Sequence, residues 1–249
     1  MADSPAPSAD LIHDVLAAAL RAGADAAEAV TAERTSLSVG VRDGALEDVE
    51  REESHDLGLR VFIGRRQATV STSDLSAPTR ARLIERAVAM ARLAPEDPYA
   101  TLAPEDRLAR APFRELDLYD DGFPEPTALE AAARDCEAAA LGVEGVARSE
   151  GGHASASRSA WRLVTSHGFD GQYRGTAFSL GAGVIAEKDG AMERGGEHRT
   201  LRHLSDMPSA ESLGLVAGQR AVARVGARKI ASQTLPVIFE NRVATQVLS

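Results

Sequence analysis

Six histidines and one cysteine are the side chains of this sequence best suited to metal binding or nucleophilic chemistry. No H-E-x-x-H is present, and His198 and His203 are five residues apart, whereas a spacing of four would place two ligands on one helix face. One group could in principle bind a cation, and it consists of Glu193, Glu197, His198 and His203. The preferred interpretation of this group is a solvated strand face or hairpin tip. Cys136 falls on the apolar stripe of a predicted helix, where a buried hydrophobic residue is expected and a nucleophile is not.

Nucleotide-binding and hydrolase motifs are also missing. The segment 181–186 reads G-x-G-x-x-A, but its glycines lie within a strand-like run that leads to a turn. A dinucleotide fingerprint needs a strand before it and a helix N-terminus after it, so the match is accidental. Neither a G-x-S-x-G elbow nor a G-x-x-x-x-G-K-[ST] loop occurs. Residue types and spacing therefore give no catalytic constellation, and no metal ligand is assigned.

The strongest charged feature is the acidic run EDVEREE at Glu47–Glu53. A solvated strand that charge protects from edge pairing is the preferred interpretation, and a contact surface for a basic partner segment is the functional alternative. Leu46 and Val49 break strict alternation, which predicts a β-bulge. Arginines of the following strands could pair with these acids. The candidate interaction surface comprises Glu50, Glu52, Arg60, Arg65 and Arg66.

These charges belong to an antiparallel meander predicted over Ser36–Ser73. Apolar residues alternate with polar ones at Leu37, Val39, Val41 and again at Leu57, Leu59, Val61, the pattern of half-buried strands. Asp43-Gly44 between them is a strong hairpin signal, because a type I′ turn needs positive φ at both positions. The meander is expected to have one buried and one wet face.

Helix, meander, helix is predicted twice along the chain. Helices are expected near 10–22, 76–94, 127–141 and 209–225, with strands at 26–32, 143–155, 159–165, 173–186 and 191–202. The fold class is α+β, with mostly antiparallel sheets and amphipathic helices packed on one face. Six prolines between Pro95 and Pro126 indicate a linker or wrapping segment.

The predicted domains are 1–110, with residues 1–9 a flexible leader, and 111–249, incomplete at its C-terminal end. Leu235–Phe239, LPVIF, reads as a buried strand, and Asn241 as the N-cap of a two-turn helix at the chain end. The net charge of −9 argues against nucleic acid as a main partner. A single cysteine, no secretory signal and no membrane-length apolar run favour the cytoplasm.

Several stretches in order resemble the TldD/PmbA family of two-subunit metallopeptidases, with wording closest to the PmbA (TldE) branch. They are GADAAEAV at 23–30, TSLSVGVRDGALEDVE at 35–50, LGLRVFIGRRQATVSTSDLS at 57–76, ARLAPEDPYA at 91–100, ARSEGGHASASRS at 147–159, TSHGFDGQYRGTAFSL at 165–180 and LPVIFENRVA at 235–244. Family members are about twice as long, so the resemblance implies the N-terminal half of a PmbA-type subunit.

The resemblance implies that zinc is bound only by a TldD-type partner, through an H-E-x-x-x-H helix absent here. It implies a heterodimer enclosing a chamber in which flexible peptides are cut. The polar face of the meander, with Glu50, Glu52 and Arg60, would then meet the chamber, a peptide or the partner. The alternative is a free-standing peptide-binding module without peptidase activity, which uses the meander edge for strand addition.

Overall fold

The computed structural model describes residues 9–248 and contains one six-stranded antiparallel sheet. Its strand order is β3-β2-β1-β4-β5-β6. The helices are α1 (Ala9–Arg21), α2 (Ala77–Leu93), α3 (Pro126–Leu141), α4 (Ala210–Arg224) and α5 (Asn241–Leu248). The strands are β1 (Ala26–Arg42), β2 (Ala45–Ile63), β3 (Arg66–Thr72), β4 (Val146–Thr165), β5 (Asp170–Lys188) and β6 (Ala191–Leu201). The α+β class and the repeated order of helix, antiparallel meander and helix are confirmed, and each meander has three strands.

The strands are longer and fewer than the sequence predicts. Ala26–Arg42 is one strand where two were expected, and β2 and β4 likewise each join two predicted pieces. Alternation fades in the middle of β1, at Glu33, Arg34 and Thr35, because this part of the sheet lies between two helix pairs. No apolar core demands alternation there, so the sequence shows a gap where the backbone ladder continues.

Two hydrophobic cores lie on the same face of the sheet. In the first, α1 and α2 cover β3, the C-terminal half of β2 and the start of β1, including Leu57, Leu59 and Val61. In the second, α3 and α4 cover β5, β4 and the end of β1, including Leu37 and Val39. The predicted burial of the meander's apolar residues is confirmed, and β1 contributes to both cores. Pairing of β1 with β4 joins the two units into one sheet.

The β1–β2 turn has the predicted geometry. Asp43 and Gly44 have φ values of 52° and 74°, as a type I′ turn requires. The predicted bulge also occurs, because Gly40 pairs with Asp48 and Val41 with Leu46, which leaves Glu47 as the extra residue.

The connection from Ala94 to Glu125, called the connection below, wraps around the sheet as the sequence allowed. It contains one 3₁₀ turn, Glu105–Arg107. Ala100 and Leu102 bury Phe62 on the face opposite the helices. Further along, Leu118 reaches β5, where its carbonyl accepts the N–H of Thr176 at 2.9 Å. Phe123 then packs against the second core, ahead of α3.

The chain after α4 departs from expectation in one respect. Leu235–Phe239 is not a buried strand: it has no regular secondary structure, and Ile238 is 98% exposed. Among residues 9–248 no strand lies alongside it to pair with its backbone. The short helix at Asn241–Leu248 is confirmed. The predicted leader lies outside the described residues, apart from Ala9, which begins α1. None of the described helices has both the length and the apolarity to cross a bilayer.

Candidate functional site

One face of the sheet, called the open face below, has no helix packed on it within residues 9–248. Strand residues in the two large cores, such as Leu37 of β1 and Phe178 of β5, alternate with residues that point the other way. That opposite set is mostly small and polar in the middle of the sheet: Ser36, Ser38 and Gly40 of β1, Ser155 and Ser157 of β4, and Ser179 and Gly181 of β5. The connection covers one end of this face.

The predicted interaction residues lie at two ends of the meander. Glu50 and Glu52 are exposed on the open face, opposite Ser38 and Ser36, on a part of β2 that β3 does not reach. Arg60 is ten residues further along, roughly 33 Å away in an extended strand. Arg65 lies at the β2–β3 turn. The structure therefore does not bring the five residues together.

The predicted pairing of these arginines with the acidic run is wrong. Arg60 forms an ion pair with Glu28 at 2.5 Å, its partner in the β1–β2 register. Arg66 donates a hydrogen bond to the carbonyl of Arg92 at 2.9 Å and lies 3.4 Å from Glu96. The register forbids the expected pairs, because Glu50 and Glu52 face serines and not arginines. Arg66 instead supports the start of the connection, and Glu50 and Glu52 remain available on the surface.

Two histidines face each other across the open face. His153 of β4, Gly181 of β5 and His198 of β6 lie in register. A Cβ atom on Gly181 would lie 2.7 Å from the Cβ of His198, so glycine at this position lets His198 pack closely against β5. Surrounding atoms that desolvate the ring, together with His198, lower the pKa of His153. Across residues 9–248 no three His, Cys, Asp or Glu side chains converge on a position that could hold a metal ion.

Two buried carboxylates were missed or misassigned from the sequence. Glu197 was expected on a solvated strand face, but its side chain is fully buried, with ion pairs to Arg199 and Arg220. It sits on the helix face of β6, and α4 supplies Arg220. Glu137 of α3 lies beside Cys136 and is 1% exposed. No local pattern marks either residue, because their partners lie elsewhere in the sequence.

A polar cavity of about 360 Å³ separates the two cores on the helix face. Glu33 lines it, with Oε1 buried and 3.6 Å from Nδ1 of His55. Burial raises the pKa of Glu33, and the nearby His55 offsets part of that effect. On another wall, Arg162 donates two hydrogen bonds to Asp170, at 3.0 and 2.8 Å. Polar and charged side chains, rather than an apolar core, therefore occupy the helix face of the sheet between its two cores.

An aromatic groove of about 720 Å³ lies between the open face and the connection. Its walls include Phe113 and Tyr119 of the connection, Trp161 of β4, Phe169 of the β4–β5 turn, and Tyr173 of β5. The rings of Trp161 and Tyr173 stack at 6.5 Å with an interplanar angle of 10°. Sequence reasoning missed this groove, because only the β4–β5 register brings these residues together.

Comparison with known proteins identifies relatives over most of the chain. A family model described as PmbA/TldA metallopeptidase domain 1 matches residues 27–91, and one for the central domain matches 119–225. The chain is 35% identical over 223 residues to the metalloprotease PmbA of Escherichia coli O157:H7, covering 89% of this chain and 49% of that protein. It is 31% identical over 233 residues to a PmbA homolog of Haemophilus influenzae, covering 93% and 51%. The chain thus spans about half the length of the curated relatives it matches.

Solved structures share the fold. A Bacteroides thetaiotaomicron protein described as a candidate modulator of DNA gyrase superposes with a TM-score of 0.82 at 21% identity, over 89% of this chain and 51% of that one. TldE from Thermococcus kodakarensis superposes with a TM-score of 0.73 at 16% identity, over 85% and 47%. At such identities the likeness speaks for the architecture alone.

Proposed function

Because this chain belongs to the TldD/PmbA metallopeptidase family, we propose that it acts as a non-catalytic, PmbA-type subunit in the breakdown of flexible peptides. The open face is the observation that carries the proposal. In the middle of the sheet this surface is lined mostly by serine and glycine, so an extended peptide or a partner subunit can approach its backbone closely there. The exposed carboxylates of Glu50 and Glu52 lie at its margin.

Zinc chemistry is assigned to a TldD-type partner in the cytoplasm and not to this chain. The histidines in the described part of the chain do not fit a zinc site, since no third ligand accompanies His153 and His198. In this proposal the two histidines therefore take no part in peptide hydrolysis. What this chain contributes is a surface that orients the partner and guides the peptide.

Co-expression with a TldD-type subunit from the same genome tests the assembly. We expect the two chains to co-purify through size-exclusion chromatography, and a peptidase assay to show zinc-dependent cleavage only when the partner is present. We also expect zinc not to raise the melting temperature of this chain alone. Zinc-dependent cleavage by the isolated chain would overturn the proposal. A monomer that captures peptides but never a TldD-type subunit would favour the free-standing binding module.

The acidic margin can be tested with matched variants. We expect the double substitution Glu50→Lys and Glu52→Lys to weaken association with the partner, since it reverses two exposed charges on the open face. Glu85 of α2 and Glu144, which follows α3, are also exposed, and the control variant reverses both of them. Equal loss of partner binding in the two double variants would show a general charge effect and argue against this margin as the contact.

A further inference from the structure

The aromatic groove concentrates a scarce residue type. The chain has ten aromatic residues, six Phe, three Tyr and one Trp, and five of them line this groove. Several apolar side chains there stay open to solvent: Tyr173 is 55% exposed and Leu116 60% exposed. Neither belongs to a core cluster. Exposed aromatic surface of this kind is typical of binding sites, where rigid rings contribute contact area at low entropic cost.

The groove borders a strand edge that is largely unpaired. β6 pairs with β5 only from Phe178 onward, so Asp170–Ala177 has no strand on that side among the described residues. The N–H of Thr176 donates a hydrogen bond to the carbonyl of Leu118, so the backbone N–H of this residue points outward, away from β4. Backbone groups alternate in direction along an antiparallel strand, so the N–H and C=O of Gln172 and Arg174 point the same way. Such groups are complementary to an extended backbone.

A segment of the connection lies along this edge of β5. Residues 113–118 of the connection run alongside β5, from Phe113, whose ring lies 5.9 Å from that of Phe169, to Leu118 at Thr176. Between these two contacts, no backbone hydrogen bond joins residues 114–117 to β5, and the groove lies between this segment and the sheet. The rim carries two bases, Arg114 and Arg174, and two acids, Glu115 and Asp117. This balance suits an uncharged, apolar occupant more than a strongly charged one.

We propose that the groove binds an extended peptide, which adds to the β5 edge at Gln172 and Arg174 and places one large apolar side chain among the aromatic rings. This inference rests on the proposed function in that it names the peptide feature recognised by the subunit. The backbone edge supplies affinity for any extended chain, and the rings select for aromatic or long aliphatic side chains.

Trp161 is the only tryptophan, so its emission reports directly on this groove. The test titrates the 249-residue chain, without zinc or partner, with acetyl-Ala-Ala-Phe-Ala-Ala-amide and with the same peptide carrying Ser in place of Phe. We expect a saturable change in emission with the Phe peptide and at least about tenfold weaker binding of the Ser peptide. No saturable change with the Phe peptide, or equal binding of both, would overturn the proposal.

A proline variant separates strand addition from side-chain contact. Gln172→Pro removes one outward N–H but leaves the β4–β5 hydrogen bonds intact, because edge strands tolerate proline where the N–H faces outward. Gln172→Ala keeps the N–H and is the matched control. We expect about tenfold weaker peptide binding for the proline variant only, with circular dichroism confirming that both variants fold. Equal loss in both would contradict strand addition.

Failure of the groove proposal can be distinguished from failure of the proposed subunit assembly. If the chain co-purifies with a TldD-type subunit and yet the Phe peptide leaves Trp161 emission unchanged, the assembly stands and the groove proposal fails. If the peptide binds and no partner co-purifies, the groove proposal stands without the assembly. A change in Trp161 emission with protein concentration alone would identify a second copy of the chain as the occupant and overturn the peptide proposal.

Discussion

The carboxylate of Glu137 accepts the backbone N–H of Gly44 at 2.9 Å across 93 residues of sequence. Its other oxygen accepts the N–H of Asp43 at 2.8 Å and a hydrogen bond from the Ser149 hydroxyl. One buried side chain of α3 therefore fixes the tight turn between β1 and β2 and ties it to β4. These turn amides point away from the hairpin ladder, and the Glu137 carboxylate satisfies both of them.

Replacing this carboxylate is expected to destabilise the protein. Glu137→Ala leaves two amides and a hydroxyl without their acceptor, so we expect the free energy of unfolding to fall by about 2–4 kcal/mol. Asp135→Ala, at an exposed position of the same helix, is the control and should change it by less than about 0.5 kcal/mol. Chemical denaturation measures both. Similar effects of the two variants would show that the turn contacts contribute nothing.

Close packing of α4 on α3 depends on glycine. A Cβ atom on Gly214 would lie 2.1 Å from the carbonyl oxygen of Cys136, and one on Gly218 would lie 2.7 Å from that of Ala140. Gly214→Ala should therefore lower the melting temperature, although alanine favours an isolated helix by about 1 kcal/mol. Gln219→Ala, on the exposed side of α4, should leave it nearly unchanged. A more stable Gly214→Ala variant would mean that the helices separate without cost.

The Cys136 thiol is expected to be inert in the folded protein. It is 0% exposed, and burial raises its pKa to about 11, so the thiolate is scarce at neutral pH. Mass spectrometry after incubation with iodoacetamide at pH 8 should show no alkylation within the time that labels the urea-unfolded chain completely. Rapid labelling of the native protein would reveal local opening between α3 and the sheet.

Attachment of the connection should depend on pH. Hydrogen bonding to Asp117, with the charges of Asp117, Asp120 and Asp206, raises the pKa of His203 above its usual 6.5. That stabilisation is fully present below pH 6.5 and is lost as pH rises through the elevated pKa. The amides of Leu204 and Gly122 lower the pKa of Asp120 below 3.8, so its contribution is lost only in acid.

Hydrogen exchange measures this attachment as protection factors for the amides of residues 113–122. We expect protection to decrease between pH 6 and pH 8.5 in the wild-type chain. His203→Gln keeps a neutral donor and should show low protection at both pH values. A pH dependence that survives in His203→Gln would place the responsible group elsewhere.

Local patterns in the sequence predict the elements of this fold well. Alternation at Leu37–Val41 and Leu57–Val61, the Asp43-Gly44 turn and the irregular spacing of Leu46 and Val49 all correspond to observed features. Each of these signals depends on neighbours in sequence and on the presence of a core on one side. The prediction of a buried strand from apolar residues fails for Leu235–Phe239, because no strand among the described residues pairs with this segment.

Site features that depend on long-range register could not be predicted. The stacking of Trp161 on Tyr173 needs the β4–β5 pairing, and the ion pair of Arg60 with Glu28 needs the β1–β2 pairing. Charge alone suggested that Arg60 would pair with the acidic run. Local sequence does not show the register of β1 on β2, which places Arg60 opposite Glu28. Glu137 escaped notice because an acid next to Cys136 looks like the edge of an apolar stripe.

The shared strand β1 sets the order in which the protein can be completed during synthesis. Glu28 pairs with Thr165, so the ladder that joins the two units waits until about 140 further residues have been translated. At ribosomal speeds that delay is roughly 7 to 27 seconds. For most of this interval one side of a 17-residue strand has no neighbour, and until residue 141 has been translated α3 is not complete and cannot fix the turn at Asp43. The nascent N-terminal unit therefore passes through a long interval as an open-edged sheet, which is the period when chaperones and aggregation compete for it.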